Sequence, residues 1–124
     1  MRALVCGGRN FGEKEPERLW GLQCLSKARR ELGITAIIEG GAPGADAGAR
    51  IFADMAGIPV TTFKADWYTH GKAAGPIRNQ RMIDEGKPDV VLAFPGGRGT
   101  ADMIRRAEAA GIRVVRFTAP DIEE

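Results

Sequence analysis

Five short apolar runs punctuate the chain, at 3–6, 36–38, 60–63, 90–94 and 114–117. They are rich in Val, Ile and Phe and lack the apolar–polar alternation of a half-exposed strand, so they are predicted to be strands buried on both faces, as in a parallel sheet. The segments between them carry helical signals. At 15–32, Leu19, Leu22, Leu25, Ala28 and Leu32 recur every three or four positions, Pro16 suits the first turn and Gly33 stops the pattern. Helices are likewise predicted at 46–56, closed by Gly57, at 77–85, preceded by Pro76, and at 100–110, opened by a capping-type Thr100 and ended by Gly111. The stretch 65–75 reads as a loop, and loops that long in a compact domain are usually functional or mobile.

Strict alternation of strand and helix implies right-handed crossovers and an open parallel sheet covered on both sides. The fold class is therefore α/β, a three-layer Rossmann-like sandwich of five parallel strands in the order 3-2-1-4-5. A length of 124 residues fits one domain; it is assigned to 1–120, and the acidic residues Asp121 to Glu124 are read as a frayed tail.

Glycine, 17 of 124 residues, is about twice as frequent as the ~7% of average usage. Eleven of the 17 fall after predicted strands: Gly7, Gly8 and Gly12; Gly40, Gly41 and Gly44; Gly71 and Gly75; Gly96, Gly97 and Gly99. Ligands of open parallel sheets bind outside the carboxyl ends of the strands, where the strand order reverses. The glycines therefore mark a functional edge, where residues without a Cβ allow tight turns and close approach of backbone N–H groups to an anion. With strands one and four as neighbours, the loops Gly7-Gly8-Arg9-Asn10-Phe11 and Pro95-Gly96-Gly97-Arg98-Gly99-Thr100 flank one crevice. The second is the better phosphate cradle, because Gly97, Gly99 and Thr100 open a helix. Neither is a P-loop or a GxGxxG fingerprint.

Charge adds a local signal only. Eighteen basic against 16 acidic residues leave +2, which with no basic stripe of interleaved aromatics argues against nucleic acid as a partner. Arg9, Lys72, Arg78 and Arg98, however, all fall in or beside the strand-end loops and suit phosphate recognition. Arg29, Arg30, Arg105 and Arg106 are read as solubilising helix-face residues. Three carboxylates are candidates for chemistry: Asp46 at the start of a helix, where it could equally cap it, Asp66 beside Trp67, and Asp102. Trp67 and Phe11 could stack on a base, and Trp20 reads as core or interface. The lone His70 and the two cysteines, Cys6 and Cys24, form no metal or disulfide motif, and no cofactor is indicated. Without a leader-like or membrane-spanning segment, a cytoplasmic location is expected. The runs 19–25 and 103–107 are candidates for a dimer surface.

The starts Gly-Gly-Arg-x-Phe at 7–11, Gly-Gly-Ala-x-Gly-Ala-Asp at 40–46 and Pro-Gly-Gly-x-Gly-Thr at 95–100, with Ala65-Asp66-Trp67 and the segment from Gly71 to Asn79, resemble the YspA-related family of the SLOG superfamily. That superfamily also holds the LOG phosphoribohydrolases and the DprA/SMF proteins. The resemblance runs from Val5 to Val115 and implies a Rossmann-like domain that binds nucleotides or nucleotide-derived ligands as a sensor or processing domain, commonly as a homo-oligomer. It places Asn79 and Pro95 among the ligand-binding residues. LOG enzymes cleave the N-glycosidic bond of nucleoside monophosphates with an Arg, which Arg78 resembles, and a Glu whose position is Met103 here. A thioether can neither stabilise an oxocarbenium ion nor position water. LOG-like hydrolysis would thus need Asp46, Asp66 or Asp102 as its carboxylate, and DprA-like binding of single-stranded DNA is the third alternative.

Overall fold

The computed structural model describes residues 1–118; the acidic tail lies outside them. Five strands, β1 (Arg2–Cys6), β2 (Ala36–Glu39), β3 (Val60–Thr62), β4 (Val90–Ala93) and β5 (Arg113–Arg116), form one parallel sheet in the order β3-β2-β1-β4-β5. The chain is thus the α/β Rossmann-like sandwich that the alternating pattern predicts.

The pleat divides the core in two. Ala3, Val5, Ile37, Val90 and Leu92 point to the face covered by α1 (Glu15–Leu32) and α2 (Ala45–Ala56), where Leu25, Ala49, Phe52 and Ala53 meet them. Leu4, Cys6, Ile38, Val91 and Ala93 point to the other, covered by α4 (Ala74–Asp84) and α5 (Arg98–Ala109) through Met82, Ile83, Met103 and Ala107. Because β1 leads into α1 and β4 into α5, the chain leaves these paired strands towards opposite faces, and a crevice opens between their ends.

Several expectations need correction. The strands are not all doubly buried: Val60, Thr61 and Thr62 are exposed because β3 lies at the sheet edge, beyond the cover of the helices. The edge strand β5 is likewise only partly covered. The stretch 65–75 is not a loop. It holds a one-turn helix, α3 (Trp67–His70), then a 3-10 turn (Gly71–Ala73) that runs into α4. Pro76 does not precede α4 but sits in its first turn, where its missing N–H is not needed. Within the runs proposed for a dimer surface, Leu25, Met103 and Ala107 are core residues, while Leu19 is exposed.

Candidate functional site

Three loops converge at the crevice, and backbone contacts lock them together. The Gly8 N–H donates to Pro95 O at 2.9 Å, and the Ala45 N–H donates to Gly8 O at 3.1 Å, so the loops after β1, β2 and β4 form one assembly. Glycine is required at the joints. Gly44 has φ +79°, and a Cβ there would strike the carbonyl oxygens of Gly8 and Arg9; one on Gly96 would strike the Thr100 hydroxyl.

A carboxylate that sequence reasoning missed supports this assembly from below. Glu39 is fully buried at the end of β2. Its Oε1 accepts from the Gly41 N–H at 2.7 Å and from Arg50 Nη1 at 2.5 Å, and its Oε2 accepts from the Thr62 hydroxyl. The only available sign was a charge ending an otherwise apolar run.

Above this base lie two adjoining chambers. The inner one, about 300 Å³, is bounded by Gly7, Gly8, Asp46 and the first turn of α5, with Cys6, Met82 and Met103 among its apolar lining. The outer one, about 670 Å³, is bounded by Trp67, Lys72, Gly75, Pro76, Asp102 and Arg105. Arg9, Arg78, Asn79, Arg98 and Gly99 line both. Gly97, not Thr100, is the N-cap residue of α5, and no side chain caps this end. The first-turn N–H groups of Arg98, Gly99 and Thr100 have no acceptor one turn earlier in the helix. A Cβ on Gly97 or Gly99 would meet nothing within 4 Å, so this turn faces open space.

Arg78 and Asn79 are fastened between the loops. Arg78 Nη1 donates to Gly40 O at 2.6 Å and its Nε to Asn79 Oδ1 at 3.0 Å. Buried Asn79 in turn donates to Gly99 O at 3.2 Å and Asp102 Oδ2 at 3.0 Å, which ties α4 to the start of α5.

The amino-terminal half of the chain, residues 1–70, matches the family described as YAcAr, the YspA, cpYpsA-related SLOG family. The chain belongs to this SLOG family. Gene 61 protein of Mycobacterium phage D29 is 39% identical to it over 123 residues, which cover 94% of this chain and 95% of that protein. The X-ray structure of TM1055 shares the fold with a TM-score of 0.69 at 22% identity, covering 91% of this chain and 71% of that one.

Not every candidate residue lines the SLOG chambers. Asp66 is exposed, and its carboxylate caps α3 by accepting from the Thr69 N–H at 3.1 Å; the Thr69 side chain and this N–H together hold its pKa below the usual range. Gly40, Gly41, Gly44, Pro95 and Gly96 shape the loops behind the chambers. Phe11 packs against Phe94 and Trp20, at centroid distances of 4.8 and 5.9 Å, within an aromatic cluster. Trp67 is half exposed, with the Arg9 guanidinium 5.6 Å from its ring centroid. Arg105, read as merely solubilising, lines the outer chamber.

The two remaining carboxylates differ. Burial raises the Asp102 pKa, but bonds from Arg106 and Asn79 and the charges of Arg106 and Arg105 outweigh this and hold it low. Asp46 does not cap α2, a position taken by Gly44. It is buried, and burial pushes its pKa up to about 6, with Glu39 adding to the rise while the Ala42 N–H and the Arg78 charge oppose it. Burial next to Asp46 also pushes the Cys6 thiol up to about 12, which keeps it an inert lining group. Among the described residues no cluster of three metal-ligating side chains forms, and no helix is long and apolar enough to cross a membrane.

Proposed function

We propose that this SLOG domain binds a nucleotide or nucleotide-derived small molecule, with a phosphate on the N–H groups of Arg98, Gly99 and Thr100 and the charge of Arg78 beside it. The observation that carries this reading is the α5 start. Its first turn is uncapped and opens, through two glycines, onto a chamber that shares Arg9, Arg78 and Arg98 with its neighbour. A helix N-terminus concentrates partial positive charge and spare donors, and charge-assisted bonds from Arg add direction. Trp67, at the outer wall, offers a surface for a base or sugar once Arg9 turns to a phosphate. The role that follows is a sensor or processing domain.

A second reading, hydrolysis of the N-glycosidic bond, is favoured by Asp46. It is a buried carboxylate with a pKa near neutrality, and it shares the inner chamber with Arg78. As an anion it would stabilise positive charge developing at C1′ and orient water, the work that Met103 cannot do. Asp102 is engaged by Arg106 and Asn79, and Asp66 stands outside the chambers.

A panel of nucleoside monophosphates tests both readings, with thermal shift and free base recorded together. Stabilisation without base release supports the sensor. Base release that is lost in Arg78→Ala and in Asp46→Asn supports the hydrolase, and no shift with any nucleotide overturns both.

A further inference from the structure

The outer chamber holds more positive charge than one phosphate needs. Five cations line it, Arg9, Lys72, Arg78, Arg98 and Arg105, against the single carboxylate Asp102. A phosphate monoester carries about −1.5 to −2 at pH 7, and the inner chamber alone brings Arg9, Arg78 and Arg98 to it. Of the two chambers, Lys72 and Arg105 line the outer one and not the inner. Asp102 is shared: Arg105 pairs with its Oδ1 at 3.5 Å, while Arg106 at 2.8 Å and Asn79 at 3.0 Å engage its Oδ2, so one carboxylate serves two arginines and leaves Lys72 with none. Among the described residues Arg9, Lys72 and Arg98 form no ion pair within 4.0 Å.

An ordinary solvated helix face would scatter such charges. Here they come from four separate segments, the β1 loop, the 3-10 turn before α4, α4 itself and α5, and they meet around one cavity. The wall is also built. Trp67 lies over Gly75, where a Cβ would come within 3.2 Å of the ring, and Arg9 lies over Trp67. Like charges gathered in excess of their counter-charges repel one another, so the arrangement is stabilised when an anion fills it.

We propose that the ligand carries two phosphate groups, one on the α5 start and the second in the outer chamber, held by Lys72 and Arg105. This rests on the nucleotide reading above and narrows its ligand class. A nucleoside diphosphate and a nucleoside bearing phosphates at its 3′ and 5′ positions share that chemistry.

The test is calorimetric titration at physiological salt with 5′-monophosphates, 5′-diphosphates and 3′,5′-bisphosphates of the four common ribonucleosides. The proteins are the wild type, a Lys72→Ala/Arg105→Ala double variant, and an Arg29→Ala/Arg30→Ala control that removes the same charge from α1. At least one two-phosphate compound is expected to bind the wild type ~10-fold or more tighter than its monophosphate, as a second charge-assisted anchor requires. The double variant should reduce that preference to ~2-fold or less with monophosphate affinity nearly unchanged, and the control should keep it. The diphosphate and bisphosphate arms identify which arrangement fits. Equal affinity for mono- and two-phosphate compounds, or an equal loss for both in the double variant, overturns the proposal and leaves the nucleotide reading standing. Binding of none of the compounds overturns that reading as well.

Discussion

Replacing Asp46 by Asn should stabilise the protein, and by an amount that depends on pH. The carboxyl is buried, and its pKa stands at about 6 in the folded protein against 3.8 for an unperturbed aspartate. Folding therefore favours the protonated form, so the contribution of this group to stability is greatest below pH 3.8. It falls as pH rises towards about 6 and levels off beyond. At ~1.4 kcal/mol per pH unit, the full difference is about 3 kcal/mol, of which about 2 kcal/mol develops between pH 4.5 and 7.5. Asn keeps an oxygen for the Ala42 N–H, which the carboxylate now engages at 3.2 Å, and carries no charge to desolvate. The assay is urea unfolding of wild type and Asp46→Asn at half-unit steps from pH 4.5 to 7.5. The variant should gain about 2 kcal/mol on the wild type across that range, with most of the gain complete by pH 7. A difference that stays flat, or that moves in the wild type's favour as pH rises, would rule out a raised Asp46 pKa. It would mean that Arg78 and the local N–H groups stabilise the carboxylate more than burial destabilises it. A residue that weakens the fold near neutral pH yet faces a chamber is placed as site residues commonly are.

Three further outcomes follow. Gly99→Ala places a better helix former where a Cβ meets nothing within 4 Å, so urea unfolding should show a gain of about 0.5–1 kcal/mol, while calorimetry shows nucleotide affinity reduced by about tenfold. Gly44→Ala combines a positive φ with a collision against two carbonyls and should cost about 2–4 kcal/mol in the same unfolding assay. Glu39→Ala leaves the Gly41 N–H, the Thr62 hydroxyl and Arg50 without their shared partner, and should lower stability by about 3–5 kcal/mol, again read by urea unfolding.

The central strands, the strand order and the glycine-marked edge could be read from the residues because each rests on a local rule. Unbroken apolar runs require burial, alternation of strand and helix requires crossovers, and glycines gather where backbones touch. Where long-range contacts decide, the reading failed. Val60 at the start of β3 looks like any buried strand residue, yet it is exposed because β3 is an edge strand of the sheet. Asp66 is a separate, local case: its neighbours suggest a site acid, but Thr69 three residues on makes it a helix cap. Glu39 and Arg105 could not be placed at all without knowing which segments approach them. Gly8 shows the same limit at one atom: its N–H, apt for an anion by sequence, is committed to Pro95 O.

The nucleotide reading stands or falls on a phosphate at the first turn of α5. Amide-resolved NMR of the 15N-labelled protein, titrated with the nucleotide that gives the largest thermal shift, tests it most directly. The Arg98, Gly99 and Thr100 amide protons should move strongly downfield with the same midpoint as the thermal stabilisation, as N–H groups donating to a phosphate do. If those three amides stay in place while resonances elsewhere shift, the ligand binds at another surface and α5 holds no phosphate.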